Sequence, residues 1–294
     1  SSQTTATGTS SGSSSVSVNT LFDRNATVGV SGNWGGIDLG RQNNVMYDKL
    51  IAFDPRSYGN FGGLGSMGVN KMSRVNNSVK YSSPTVNGFS VNALYSTAGT
   101  AGDATAGRAL EGAVNYANGP LKLVAAYSEF TALCSGASAA TADGAYCAYY
   151  GSATTTTAAL AGDTSLKQTL FAASYTVGQV TGIAGYLGKK NDIAKNDTAA
   201  TAHGRDTTKL YWAGVKYQPN SANVVTVAYY RVNDPAVDQT TYPEQHPNML
   251  TFDYQYSLSK RTSLYAIASY VHNDKGTKVT LADNGKVSVG NTNN

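Results

Sequence analysis

Long apolar runs are missing from this chain of 294 residues, and its mean hydropathy is only −0.27. A helix that crosses a bilayer needs about 20 consecutive apolar residues, and no stretch approaches that length. The sequence therefore excludes a membrane protein built from helices. It leaves open one built from strands, because alternating apolar and polar residues do not raise the mean hydropathy.

Histidine and cysteine are also scarce, with three and two residues. His203, His246 and His272 fall in predicted loops or at strand ends, and nothing places a serine beside them, as a hydrolase would need. Phosphate loops and Cys/His metal clusters are missing. We therefore expect no enzyme, no catalytic residue, no metal and no cofactor. The net charge of +4 is too small to indicate a nucleic-acid partner.

Alternation of apolar and polar residues is what the chain has in abundance. Between residues 22 and 271, one unit recurs six times: about ten alternating residues, a tight turn, about ten more and a long polar loop. Residues 250 to 258, for example, read LTFDYQYSL. Because successive side chains of a strand point to opposite faces, this alternation places the apolar residues on one face and the polar residues on the other. A tilted strand of about 9 to 11 residues is long enough to cross a bilayer.

Charged residues lie within several predicted strands, on the face without large apolar residues; examples are Glu111, Lys122 and Asp253. In a soluble sandwich that face meets solvent, whereas in a wide barrel it lines a water-filled lumen. The 20 tyrosines, against 2 tryptophans and 7 phenylalanines, favour the barrel. Several fall near strand ends, where an aromatic girdle would meet lipid headgroups.

The connections between strands favour the barrel over the soluble sandwich, because short turns and long loops alternate strictly. The long loops cover about 43 to 76, 97 to 108, 132 to 166, 190 to 207 and 233 to 247. Outer-membrane barrels typically have short turns at one end of the barrel and long loops at the other. The pattern predicts an all-β chain with twelve antiparallel strands, at 21 to 30, 36 to 42, 77 to 83, 88 to 96, 109 to 117, 121 to 130, 167 to 177, 180 to 189, 208 to 217, 223 to 232, 248 to 257 and 262 to 272.

Two segments carry a family resemblance. Residues 21 to 35 read LFDRNATVGVSGNWG and are followed by DLGRQ at 38 to 42; residues 77 to 84 read NSVKYSSP and are followed by GFS. These segments resemble the trimeric general porins of beta-proteobacteria. The resemblance implies a sixteen-stranded transmembrane barrel in the outer membrane. By this alignment, the chain begins in an external loop and lacks three strands before Leu21 and one after Val271.

The resemblance also implies a layout and partners for a single barrel domain, residues 1 to 294. Residues 1 to 20, 132 to 166 and 273 to 294 would be external loops, and 43 to 76 the constriction loop inside the barrel. The partners would be two further copies in a homotrimer, membrane lipid and lipopolysaccharide, and small hydrophilic solutes and anions. The function expected is passive diffusion through a water-filled pore.

Charge in the predicted constriction indicates its ion preference. From residue 41 to 74 there are five basic residues (41, 49, 56, 71 and 74) and two acidic ones (48 and 54), and five minus two gives +3. A low-dielectric wall focuses the field of such charges, which predicts a weak to moderate preference for anions. Alternatively, the arginines only hold the loop by ion pairs. The candidate constriction residues are Arg24, Arg41, Asp48, Asp54, Arg56, Arg74 and Lys80.

The two cysteines, Cys134 and Cys147, lie in the longest loop. At an oxidising outer surface they predict one disulfide within that loop, worth roughly 3 kcal/mol.

Two other functions stay open on the sequence alone. A substrate-specific channel would place a ligand cluster in the lumen, and Trp212, Tyr230 and Tyr265 have the parity to face it. A soluble β-sandwich that binds carbohydrate or acts as an adhesin would need neither a lumen nor a lipid-facing surface.

Overall fold

The computed structural model describes residues 24–57, 59, 61–67, 73–97, 108–133, 163–192, 207–233 and 246–273. Twelve strands form one antiparallel sheet in chain order, each paired with the next. They are β1 Ala26–Gly32, β2 Gly35–Asn43, β3 Arg74–Ser82, β4 Phe89–Ser96, β5 Ala109–Asn118, β6 Leu121–Leu133, β7 Asp163–Val177, β8 Val180–Asp192, β9 Thr207–Tyr217, β10 Asn223–Asn233, β11 Asn248–Ser257 and β12 Ser263–His272.

These strands confirm the predicted all-β class, the strand number and the alternation of short and long connections. The tight turns include 119–120 and 178–179, where the glycines adopt positive φ. In the described residues, the connection from β2 to β3 contains a helix α1, Val45–Phe53, and a short 3-10 helix, Leu64–Met67. No helix in the described part of the chain has the length and apolarity needed to cross a bilayer.

The two faces of the sheet meet different surroundings. On β11, Phe252, Tyr254 and Tyr256 are 37 to 46% exposed, whereas Thr251 is fully buried. On β5, Leu110 and Val114 are exposed while Glu111 is buried. The large apolar side chains therefore point out of the molecule, which is the reverse of a soluble sheet. The described residues of the loop that connects β2 to β3 cover part of the inner face.

Helix α1 extends across several strands of the sheet. Its nine residues span about 13 Å at 1.5 Å per residue. Its first turn is bonded to Glu111 on β5 and its last residue to Trp212 on β9. The helix therefore runs along the inner face of the sheet from β5 to β9.

Candidate functional site

The N-terminus of α1 is fixed to the sheet by a carboxylate. Glu111 accepts hydrogen bonds from the backbone N–H groups of Val45 (2.5 Å) and Met46 (3.3 Å). Asn44 caps the same turn, since its side-chain oxygen accepts from the Tyr47 N–H at 2.7 Å. A negative charge is favourable at this end of a helix because the backbone dipoles and free N–H groups point at it. Glu111 therefore sets where the loop enters the interior.

One face of α1 packs on the inner side of the sheet. Val45, Met46 and Leu50 are at most 1% exposed and belong to one apolar cluster with Leu170 and Leu187 of β7 and β8. The register puts small and aliphatic residues in one row under the helix: Ala113, Ala126, Leu170, Leu187 and Leu210. Burial of each large apolar side chain stabilises the docked helix by about 1.5–3 kcal/mol.

The C-terminus of α1 is held by the indole of Trp212, whose Nε1–H donates to the Phe53 carbonyl at 2.7 Å. This indole lies over the backbone of Gly185 on the neighbouring strand. A Cβ at Gly185 would stand 2.1 Å from Cζ2 of Trp212, which leaves no room for any other residue type. The helix is thus bonded to the wall at both of its ends.

Asp54, which follows α1, is 1% exposed and fully engaged. It accepts from the Tyr230 hydroxyl at 2.6 Å and from the backbone N–H groups of Arg56 (3.2 Å) and Leu64 (3.3 Å). Its carboxylate therefore organises the loop from inside and does not face the water column. Tyr230 is likewise fully buried. Trp212 and Tyr230 have the predicted inward parity, but they fasten the loop and form no exposed aromatic track.

The tip of the loop rests on a row of small side chains, which runs across four strands as Gly214, Ala228, Thr251 and Ser269. Gly62 touches this row with φ +63, and a Cβ there would lie 2.1 Å from the Ser269 Oγ. Close approach of backbone to wall requires glycine at this position. The tip is thereby pressed against β11 and β12.

An ion pair closes the contact at the tip. Arg56 Nε donates to Asp253 Oδ2 at 3.2 Å, with the two side chains 7% and 19% exposed. A second guanidinium N–H donates to the Phe61 carbonyl. Asp253 was predicted to lie on the inner face, and its partner is one of the predicted constriction residues.

Two further candidates, Lys80 and Asp48, form an ion pair of 2.5 Å near the start of the loop. The ammonium of Lys80 also donates to the Asn43 carbonyl at 3.2 Å. Lys49 donates to Asn92 Oδ1 at 2.6 Å. Burial lowers the pKa of Lys49, an effect that Asp48 opposes and Lys80 reinforces. Lys80 on β3 and Lys49 on α1 thus both lie near the carboxylate of Asp48.

The remaining candidates lie around the same mouth. Arg41 Nη1 donates to Asn76 Oδ1 at 2.5 Å, and Arg74 Nη1 to Ser73 Oγ at 3.3 Å. Arg24 is exposed, and within the described part of the chain no ion pair holds it. Lys71, Cys134 and Cys147 lie outside the described residues, as do the predicted external loop at 1 to 20, all but the first residue of the one at 273 to 294, and most of the one at 132 to 166.

Sequence reasoning missed the residues that fasten the loop: Glu111, Trp212 and Tyr230. All three have inward parity, so their face was predictable, but their partners lie 66, 159 and 176 residues away. One usable signal was present, because an acid such as Glu111 in mid-strand is costly unless it is paired. Among the described residues, no three His, Cys, Asp or Glu side chains are placed to hold a metal ion.

A sheet with an apolar outer face, polar and charged groups on its inner face and a loop docked against that inner face is typical of a transmembrane β-barrel channel. Comparison with known proteins agrees. The chain matches the family described as Gram-negative porin over residues 3–276, and it belongs to that family. It is therefore an outer-membrane, multi-pass diffusion channel and not an enzyme.

Two curated relatives cover most of the chain. An outer membrane porin protein of Bordetella pertussis is 29% identical over 276 residues, which is 86% of this chain and 67% of the relative. The outer membrane porin protein 32 of Delftia acidovorans is 26% identical over 279 residues, 90% of this chain and 68% of the relative. The chain thus spans about two thirds of the length of these relatives.

Solved structures show the same fold. An anion-selective porin from Comamonas acidovorans superposes with a TM-score of 0.65 at 23% identity, covering 86% of this chain and 68% of that one. The outer-membrane OmpT of Vibrio cholerae superposes with a TM-score of 0.63 at 19% identity, covering 84% and 69%.

Proposed function

We propose that this porin is a general diffusion channel with a weak to moderate preference for anions, and that residues 43 to 76 form its constriction. One observation carries the proposal: the loop lies across the inner face of the sheet, bonded to β5, β9, β10 and β11. A loop fixed in this way narrows the water column at one level. Charges at that level then act with little screening by water.

The charges around the loop favour anions. Asp54 is buried against Tyr230, and Asp48 is paired with Lys80, so neither acid is unpaired at the mouth. The other basic groups of this region are Arg24, Arg41, Lys49 and Arg74, so basic residues outnumber acidic ones there. The solved structure from Comamonas acidovorans is named as an anion-selective porin, which supports the same preference here.

Reversal potentials in a planar bilayer under a salt gradient test this preference. We expect Arg41→Glu/Lys80→Glu to shift the reversal potential towards cation selectivity, because four units of charge change at the constriction. A matched control is Lys260→Glu/Arg261→Glu, which makes the same change at the exposed turn between β11 and β12. Arg41→Gln alone, which introduces no like-charge contact with Asp48, should give a smaller shift in the same direction. Unchanged selectivity in both constriction variants contradicts the proposal.

We also propose a homotrimer. A structure of the Vibrio cholerae OmpT is described as a trimer form, and the fold of this chain is the same. Native mass spectrometry of the detergent-purified protein tests it, and a monomer at all concentrations contradicts it.

Lipid headgroups are the proposed partner of the outer surface near the long loops. Lys209 and Arg231 are exposed on the outward face of β9 and β10, beside Tyr211. Tyr211 packs against Tyr186 with ring centroids 5.2 Å apart. Cations above an aromatic band suit the phosphates of lipopolysaccharide. Lys209→Glu/Arg231→Glu should reduce the lipopolysaccharide that copurifies, measured by mass spectrometry, and Lys260→Glu/Arg261→Glu should not.

A further inference from the structure

A cavity of about 670 Å³ lies between the tip of the loop and strands β9 to β12. Its wall residues come from two rows of inward side chains near the short turns. One row joins Lys216, Thr226, Asp253 and Ile267 across the four strands, and the next joins Val224, Gln255 and Tyr265. A solute that has passed the constriction from the long-loop side therefore meets this cavity next.

The charge balance of the cavity leaves one cation. Arg56 and Asp253 both line it, but they neutralise each other at 3.2 Å. Lys216 also lines it, and among the described residues no hydrogen bond or ion pair engages the Lys216 ammonium. An ammonium on a partly buried wall attracts an anion more strongly than one in bulk water, because the surrounding dielectric is lower.

Apolar side chains share the lining of the cavity with this cation. Pro55 and Phe61 contribute from the loop, and Val224, Ile267 and the ring of Tyr265 from the wall. Thr226, the cross-strand neighbour of Lys216, and Gln255, the neighbour of Val224, add hydrogen-bonding groups to the lining. Ligand sites commonly combine an apolar lining with a few polar groups that fix orientation. A chloride ion would interact only with the Lys216 ammonium, whereas an organic anion would interact with both the ammonium and the apolar lining.

We infer that this cavity is a binding subsite for monocarboxylates that have an aromatic or branched aliphatic body. The carboxylate contacts Lys216, with the Thr226 hydroxyl beside it, and the apolar body extends towards Phe61 and Ile267. Arg56 is already paired with Asp253, so a second carboxylate gains no further unpaired cation in this lining and dicarboxylates bind less well. The inference rests on the proposed diffusion function, and it adds a preferred class of solute to it.

Chloride current through the purified channel in a planar bilayer, titrated with sodium benzoate, tests the subsite. We expect a saturable fall of the current with a midpoint in the millimolar range. Formate, which has the charge without the ring, and benzyl alcohol, which has the ring without the charge, should have midpoints at least about tenfold higher. Loss of one charge-assisted contact corresponds to about that factor.

Variants then assign the effect to residues. Lys216→Gln should raise the benzoate midpoint about tenfold, Lys216→Arg should restore it, and Phe61→Ala should raise it for benzoate but not for formate. Lys122→Gln is the matched control, because Lys122 also faces inward near the short turn of its strand, β6, but lies outside this cavity.

The outcomes separate the two proposals. Absence of any chloride current from the unmodified protein would contradict the diffusion function itself. A normal current that benzoate does not reduce, or a benzoate midpoint that is the same in Lys216→Gln, overturns the subsite alone. Retention of the chloride current by Lys216→Gln shows that this variant is folded and inserted.

Discussion

The loop meets the sheet in two sectors, and they hold it by different forces. Over β5 to β8, which we call the helix sector, α1 buries Val45, Met46 and Leu50 on aliphatic side chains. Over β9 to β12, the tip sector, the contacts are hydrogen bonds and an ion pair, made by Trp212, Tyr230 and Asp253. Apolar burial has no preferred direction, whereas hydrogen bonds fix geometry. The helix sector therefore supplies most of the stability of the docked loop. Glu111 fixes where the loop enters the interior, and the tip sector fixes the position of its far end.

The largest expected effect tests the helix sector. Leu50→Ala removes a fully buried side chain, and we expect docking of the loop to weaken by about 3 kcal/mol through lost burial and the cavity left behind. Amide hydrogen exchange in α1 measures the free energy of opening. Ala52→Gly, at an exposed position of the same helix, should cost only about 1 kcal/mol. Equal exchange in the two variants would show that apolar burial does not hold the helix.

An intermediate effect is expected at the boundary of the two sectors. Gly185→Val forces the Trp212 indole away from the Phe53 carbonyl, with an expected cost of about 1–3 kcal/mol. Tryptophan fluorescence during urea unfolding measures this cost. Gly182→Val on the same strand is the control, because a Cβ at Gly182 meets nothing within 4 Å. Identical unfolding midpoints for the two variants would contradict the packing of the indole on this glycine.

The smallest effect on stability is expected in the tip sector. Asp253→Asn keeps an oxygen near Arg56 but removes the charge, and should cost about 1 kcal/mol or less. The substitution should instead change the position of the tip, because the tip loses the ion pair that fixes it to β11. We expect broader fluctuations of the open-channel current than in the unmodified protein. Thr226→Val, which removes only a hydroxyl from the same row, is the comparison. Steady current in Asp253→Asn would show that the ion pair does not position the tip.

Strands were predictable from this sequence because their two faces meet different media. On β11, the alternation of Leu250, Phe252 and Tyr254 with Thr251 and Asp253 indicated the strand and its faces, and the structure has the strand at Asn248–Ser257. A strand such as β7 is longer than predicted, since Asp163–Val177 extends beyond the bilayer, where alternation is no longer required.

The interior of the loop was not predictable in the same way. Helix α1 has only nine residues, too few to be stable alone, and it depends on its contacts with β5 to β8. The pair of Asp54 with Tyr230 likewise joins residues 176 apart, which no local pattern indicates. The predicted roles of Arg24, Arg41 and Lys80 in ion selectivity stay predictions for the reversal-potential experiment.

Attachment of one loop to strands that are six apart in the sheet, from Glu111 on β5 to Asp253 on β11, has a mechanical consequence. The wall of the barrel is a single β-sheet, which bends readily out of its own plane. Lateral pressure from the bilayer tends to flatten the circular cross-section of such a barrel into an ellipse. Because the loop connects distant parts of this wall, it acts as an internal strut against such flattening. The segment that restricts the opening therefore also keeps its cross-section constant under load.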